Sequence, residues 1–179
     1  MRNSKTRTMV LCALMMALVA VLTAVASVPL GIIPGAYVHP GDSLIFVAGY
    51  LLGPLCGAAV GGLGSALADM TLQAYLYVIP TLLVKALMGY LVGLAFRKNG
   101  LYGHWGRALA LMLAAGLCMV AGYGVYEGFA FGWGLAITSL PFNLLQAGLS
   151  IVLGAAVIAM LEKVPWVNSL RASRAQRPR

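Results

Sequence analysis

Charged residues are so sparse along this chain that the gaps between them mark out its elements. Uncharged stretches run over 8–41, 43–68, 70–84, 86–96, 108–126 and 128–161. A helix that crosses a bilayer takes roughly 20 apolar residues, and several of these stretches reach that length. Positive charge gathers at Arg2/Lys5/Arg7, at Arg97/Lys98/Arg107, and at Lys163 with Arg171, Arg174, Arg177 and Arg179. The positive-inside rule places all three clusters, and hence both termini, on the cytoplasmic side. An even number of crossings must then separate one cluster from the next. Between Arg107 and Lys163 the spans 108–126 and 140–161 satisfy this. Between Arg7 and Arg97 there are three obvious apolar blocks. Dividing the middle one at Gly53-Pro54, where proline disfavours a continuous helix, makes four: about 9–27, 43–53, 54–69 and 75–96. The pattern predicts an all-α membrane protein, a six-transmembrane-helix bundle over 9–161. A cytoplasmic N-terminus (1–8) and a basic cytoplasmic tail (162–179) flank it. The two halves of the divided block are short for crossing alone, so protein must cover their ends.

Composition narrows the function. Of 179 residues, 61% are hydrophobic and 9% charged, against about a quarter charged in soluble domains. Mean hydropathy is +0.93. An ordinary soluble enzyme and a disordered chain are both excluded. The net charge of +8 forms no basic face, so nucleic acid is not a partner; the lipid bilayer is. Arg2, Lys5 and Arg7 ahead of an apolar run and Ala24-Val25-Ala26 imitate a secretory signal. The uncharged run 8–27 nevertheless exceeds the ~7–15 residues of such a core, and it reads as a retained first helix. Cys12, Cys56 and Cys118 sit singly in apolar runs and read as inert buried thiols. There is no metal spacing, no nucleophile–base pair and no cofactor motif. A GxxxxGK[ST] loop is also missing, so ATP-driven work requires partners.

Polar residues inside apolar spans are costly and face an interior or a cavity. On the last span Asn143, Gln146 and Ser150 share one face. The amides offer donors and acceptors to a heterocycle edge, or to neighbouring helices. Tyr123, Tyr126 and Glu127 cluster near the outer end of the preceding span, where Glu127 either meets a ligand or faces water. Gln73, Tyr75 and Tyr77 precede the fourth span, either as membrane-belt anchors or as a stacking platform. The first outer loop, 28–42, is punctuated by Pro29, Gly31, Pro34, Gly35, Pro40 and Gly41, which excludes a helix and suits a lid. Asp42 opens the next helix as an N-cap. Lys85 lies about ten residues into its span and needs an acid, Asp69 first and Glu127 second, unless it contacts ligand. Small residues recur at helical spacing: Gly53/Gly57/Gly61, Ala58/Gly62/Ala66, Gly89/Gly93 and Ala13/Ala17/Ala20/Ala24. Such rows pack helices closely. On the first helix the row could instead face outward and dock another membrane protein.

These features together resemble a known family. Gly41-Asp42, Gly53-Pro54-Leu55, Gly64-Ser65-Ala66-Leu67-Ala68-Asp69 and Lys85-Ala86-Leu87-Met88-Gly89 are similar to the S component of energy-coupling factor (ECF) vitamin transporters, in the riboflavin-type branch. Ala13-xxx-Ala17 and Pro141-Phe142-Asn143-Leu144-Leu145-Gln146 extend the likeness over about 9–161. The resemblance implies a subunit that binds a small B-vitamin or precursor from outside and works with a T component and two ABC ATPases. It implies a first loop that closes over the vitamin, making Tyr37 and His39 lid contacts. It also places ligand at the Pro-Phe-Asn motif, with Gln146 where some relatives carry lysine. That departure sets riboflavin behind pyridoxine and hydroxymethylpyrimidine. Substrate contacts are expected from Asn143, Gln146, Glu127, Tyr123, Tyr75, Tyr77, Tyr37, His39 and Lys85, and partner docking from Ala13 and Ala17. The rival reading is an assembly subunit of the membrane that binds no small ligand.

Overall fold

The computed structural model describes residues 2–96 and 105–175; Arg97, Lys98, Arg177 and Arg179 lie outside these, and the side chains of Arg2 and Arg174 are not described. Its elements are α1 (Arg2–Ala26), β1 (Val28–Pro29), β2 (Tyr37–Val38), α2 (Asp42–Thr71), α3 (Val78–Ala95), α4 (Trp105–Ala130), α5 (Trp133–Leu161) and α6 (Pro165–Ala175). Among the described residues, α1 to α5 contain five stretches long and apolar enough to cross a membrane. Among the described residues, regular structure is helical apart from one small ribbon. Val28 pairs with Val38 and Pro29 with Tyr37, a strand pair that the all-α expectation missed because two residues per strand leave no alternation to detect.

The longest helical run, α2, is not a rod. Gly53 has φ 76° and ψ −172°, a conformation open to glycine without a Cβ penalty. The following Pro54 also pushes its predecessor out of the helical region. The chain doubles back there. A Cβ on Gly57 would lie 3.1 Å from Gly49 Cα, and one on Gly61 would lie 3.0 Å from Ile45 Cγ2. In a straight helix those pairs would be about 12 and 24 Å apart. The expected division at Gly53-Pro54 is therefore present, as two antiparallel arms.

The small-residue rows explain how the arms sit against α3. A Cβ on Gly57 would meet Gly89 O at 2.5 Å, one on Gly62 would meet Leu82 O at 2.8 Å, and one on Gly49 would meet Gly93 N at 3.0 Å. Backbone thus lies on backbone, the packing that membrane helices use where no hydrophobic effect drives association. On α1 the outcome differs: Met15 and Val19 are buried, whereas Ala13 and Ala17 are exposed. Helix α5 starts at Trp133 and contains Pro141, earlier than the expected 140. The turn before it is only Phe131–Gly132, with Gly132 at φ 100°.

At the end where α1 meets α2, the segment 27–41 caps the bundle, with some side chains buried in it and others, such as Val28, exposed. Ile33 is 2% exposed, and Ala36 and His39 are also buried. At the opposite end α6 lies across the helix termini. Its Val167 and Leu170 are buried, and Arg171 donates to Phe96 O at 2.9 Å with its guanidinium 4.1 Å from the Tyr50 ring centre.

Candidate ligand-binding site

Four elements converge beneath the 27–41 segment. The segment itself contributes Tyr37 and His39, the second arm of α2 contributes Asp69, the start of α3 contributes Tyr77 and Thr81, α4 contributes Tyr123 and Glu127, and α5 contributes Asn143 and Gln146. Together with Leu30, Gly35 and Ala36 they line a cavity of about 30 Å³. That is the share of one liquid water molecule, whereas about 150 Å³ holds a benzene ring. A second, larger cavity of about 360 Å³ lies against the outer side of the segment and is also lined by Gly35, Ala36 and Tyr37.

Below the cavity runs a buried charged network. Lys85 Nζ lies 2.5 Å from Asp42 Oδ2, and both residues are 0% exposed. Gln146 Nε2 donates to the same oxygen at 2.8 Å, while Gln146 Oε1 accepts the His39 backbone N–H at 3.1 Å. One amide therefore ties the capping segment to the ion pair. The Gly41 N–H donates to His39 Nδ1 at 3.1 Å, and Thr23 Oγ1 is 3.2 Å from the same nitrogen. That nitrogen is an acceptor, so the ring proton resides on Nε2, 4.0 Å from Asp42 Oδ1. Burial pulls the imidazole down to about 4; the Lys85 ammonium adds to this and Asp42 opposes it. His39 is neutral at physiological pH.

Around the cavity the polar groups are held by neutral partners. The Tyr37 hydroxyl donates to Asp69 Oδ1. Glu127 accepts from Tyr77 OH at 3.0 Å and from Ser139. Burial and the adjacent carboxyls raise the phenols of Tyr37 and Tyr77, so both remain donors. Thr81 Oγ1 and Tyr123 OH are 3.0 Å apart. Aromatic rings form one wall: Tyr77 lies 6.1 Å from Tyr123 and 5.3 Å from Tyr126, centre to centre, and is stacked on Phe131 at 6.2 Å. Tyr37 and His39 face each other at 5.4 Å. Two polar atoms of the lining make no hydrogen bond, Asp69 Oδ2 and Asn143 Nδ2, although Asp69 is 1% and Asn143 8% exposed. Buried polar atoms are usually partnered. Two orphans on one cavity mark a place where a guest supplies the partners.

Comparison with known proteins agrees with this architecture. The family model described as the ECF-type riboflavin transporter, S component, matches residues 3–163. The chain belongs to that family. A relative of this S component is the thiamine precursor transporter HmpT of Lactococcus lactis subsp. cremoris (strain MG1363). It is 29% identical over 171 residues, 96% of this chain and 97% of its own. A Pyrococcus woesei protein described as an uncharacterized protein in gap 3'region is 32% identical over 145 residues, 81% of this chain and 95% of its own. The S component is thus a transporter subunit of vitamin-uptake type and a multi-pass membrane protein.

Within the S component, Tyr37, His39, Tyr77, Tyr123, Glu127, Asn143 and Gln146 come together as one lining. Tyr75 does not; it is 66% exposed. Tyr77, two residues on, is 5% exposed and points inward, at the end of a turn that passes through Gln73 at φ 59°. Lys85 does not reach the cavity either. Its partner is Asp42, which corrects the expected pairing with Asp69 or Glu127. Reversal at Gly53 returns the start of α2 to the depth of Lys85, whereas Asp69 sits farther along the second arm, under Tyr37. Asp42 is also no N-cap. Gly41 holds that position without a side-chain cap, and Asp42 is the first helical residue, where the helix dipole favours an acid. Asp69 and Thr81 are lining residues that were not anticipated. The signal for Asp69 was present, an acid at the rim of an otherwise uncharged span, but it was assigned to Lys85 as the acid nearest in sequence.

Proposed function

We propose that this S component captures a small B-vitamin or vitamin precursor from outside the cell and delivers it with a T component and two ABC ATPases. The observation that carries the reading is the polar and aromatic cavity, with Asp69 Oδ2 and Asn143 Nδ2 left for a guest. Asn143, Gln146, Glu127, Tyr123, Tyr77, Tyr37 and His39 serve as substrate contacts. The present volume is too small for a ring, so ligand enters as the 27–41 segment retreats and the inner cavity joins the outer one across Gly35, Ala36 and Tyr37. Six crossings follow when the two arms of α2 are counted separately. The positive clusters then set both termini in the cytoplasm, with 9–161 in the plasma membrane and 162–179 inside. Ala13 and Ala17, small and exposed on α1, form the flat surface on which the T component docks. A thiamine precursor is the name attached to one relative, and it supports hydroxymethylpyrimidine or pyridoxine ahead of riboflavin.

An assembly subunit without a ligand would fill these polar atoms with protein contacts, which the two orphans disfavour. Equilibrium binding on the detergent-purified chain tests the proposal against hydroxymethylpyrimidine, pyridoxine, pantothenate and riboflavin. Stoichiometric binding of one of them without ATP is expected. Binding of none defeats the reading.

A further inference from the structure

The hydrogen-bonding groups of the site do not balance, and the imbalance is on the cavity side. Lys85 and Asp42 neutralise each other beneath it. Asp69 and Glu127, 1% and 2% exposed, are held by hydroxyls, Asp69 by those of Tyr37 and Thr81 and Glu127 by those of Tyr77 and Ser139. Two carboxyls in a low-dielectric wall demand donors or positive charge from whatever lies between them. Glu127 has both oxygens engaged, while Asp69 Oδ2 has none. On the same cavity Asn143 Nδ2 is a donor without an acceptor. The unmet demand is therefore one donor for Asp69 and one acceptor for Asn143, beside rings suited to a flat ligand.

From this inventory, which rests on the vitamin-binding reading above, we infer that Asp69 is the specificity-determining residue of the site. It selects an aromatic nitrogen heterocycle that carries an exocyclic amine beside a ring nitrogen. The amine donates to Asp69 Oδ2, and the ring nitrogen accepts from Asn143. A ring whose corresponding edge carries a carbonyl, such as a pyrimidinone or the dione edge of a flavin, sets oxygen against oxygen at Asp69. It leaves a buried carboxyl unsatisfied, which lowers affinity by roughly 10- to 100-fold.

The test uses the full-length protein in detergent and two probes that differ at one substituent, 4-amino-5-hydroxymethyl-2-methylpyrimidine and its 4-oxo counterpart. Affinities are measured by equilibrium dialysis. The wild-type protein is expected to prefer the amine by at least about tenfold. Asp69→Asn, whose amide can donate to the carbonyl, is expected to lose or invert that preference. Equal binding of the two probes by the wild-type protein overturns the inference while leaving the vitamin-binding reading intact. An unchanged ratio in a folded Asp69→Asn protein also overturns it. If neither probe, nor pyridoxine, pantothenate or riboflavin, binds at all, the reading on which it rests falls as well.

Discussion

Replacing Lys85 by methionine isolates the buried ion pair. Methionine keeps most of the length and apolar bulk of the lysine stem but removes the ammonium, stranding Asp42 in a site with no access to solvent. Removing one member of a buried pair costs about 3–5 kcal/mol, because the remaining charge keeps its desolvation penalty without compensation. Gln146 still donates to Asp42 at 2.8 Å, which places the expected loss toward the lower end, about 3 kcal/mol. For a chain of this length that corresponds to a fall in melting temperature of about 10 °C. The assay is thermal unfolding in detergent across a double-mutant cycle. Asp42→Asn keeps an acceptor for Gln146 and removes the charge, so Lys85→Met combined with Asp42→Asn should recover most of the loss. Were Lys85 paired with Asp69, Asp69→Asn would be the rescuing change and Asp42→Asn would add to the damage. That pattern, or a Lys85→Met protein that folds and transports as well as the wild type, refutes the assignment.

Two further outcomes concern His39 and the alanines of α1. The His39 imidazole is held at about 4 in the fold against 6.5 unfolded. Its neutral burial therefore contributes fully above pH 6.5 and is lost as pH falls from 6.5 towards 4, about 3 kcal/mol in all. Melting temperatures between pH 7.5 and 4 should fall more steeply for the wild type than for His39→Asn, and parallel curves would show that His39 is not the group responsible. Ala13→Leu/Ala17→Leu changes only exposed positions, so melting and ligand affinity should be unaltered. Uptake by cells expressing the whole transporter should drop at least about tenfold, since bulk at a small-residue contact separates the helices; undiminished uptake removes this stripe as the docking surface.

Local patterns carried most of the fold. The gaps between charges located the spans, and Gly53-Pro54 announced the break because both residues act on their own backbone. The facing rows on α2 and α3 were legible as spacing. What failed was pairing at a distance. Lys85 is 16 residues from Asp69 in sequence and 43 from Asp42, and only the reversal at Gly53 makes the remoter acid the nearer one. The site residues on α4 and α5 were found because polar groups in apolar helices stand out. Thr81 was missed because a threonine in a helix is unremarkable until a tyrosine from another span meets it. Tyr75 and Tyr77 could not be separated by residue type, since the turn before α3, and not their chemistry, aims one ring inward and leaves the other outside.

The contact of Arg171 with Phe96 O and the Tyr50 ring makes the last helix the clasp of that end of the bundle. A translating ribosome releases the chain from its N-terminus, so the closing turn of α3 and the hinge region of α2 emerge long before the guanidinium that joins them. The contact itself can form only once residue 171 has been made. A stop codon placed after residue 161 would spare every membrane-spanning stretch and still leave that end unfastened.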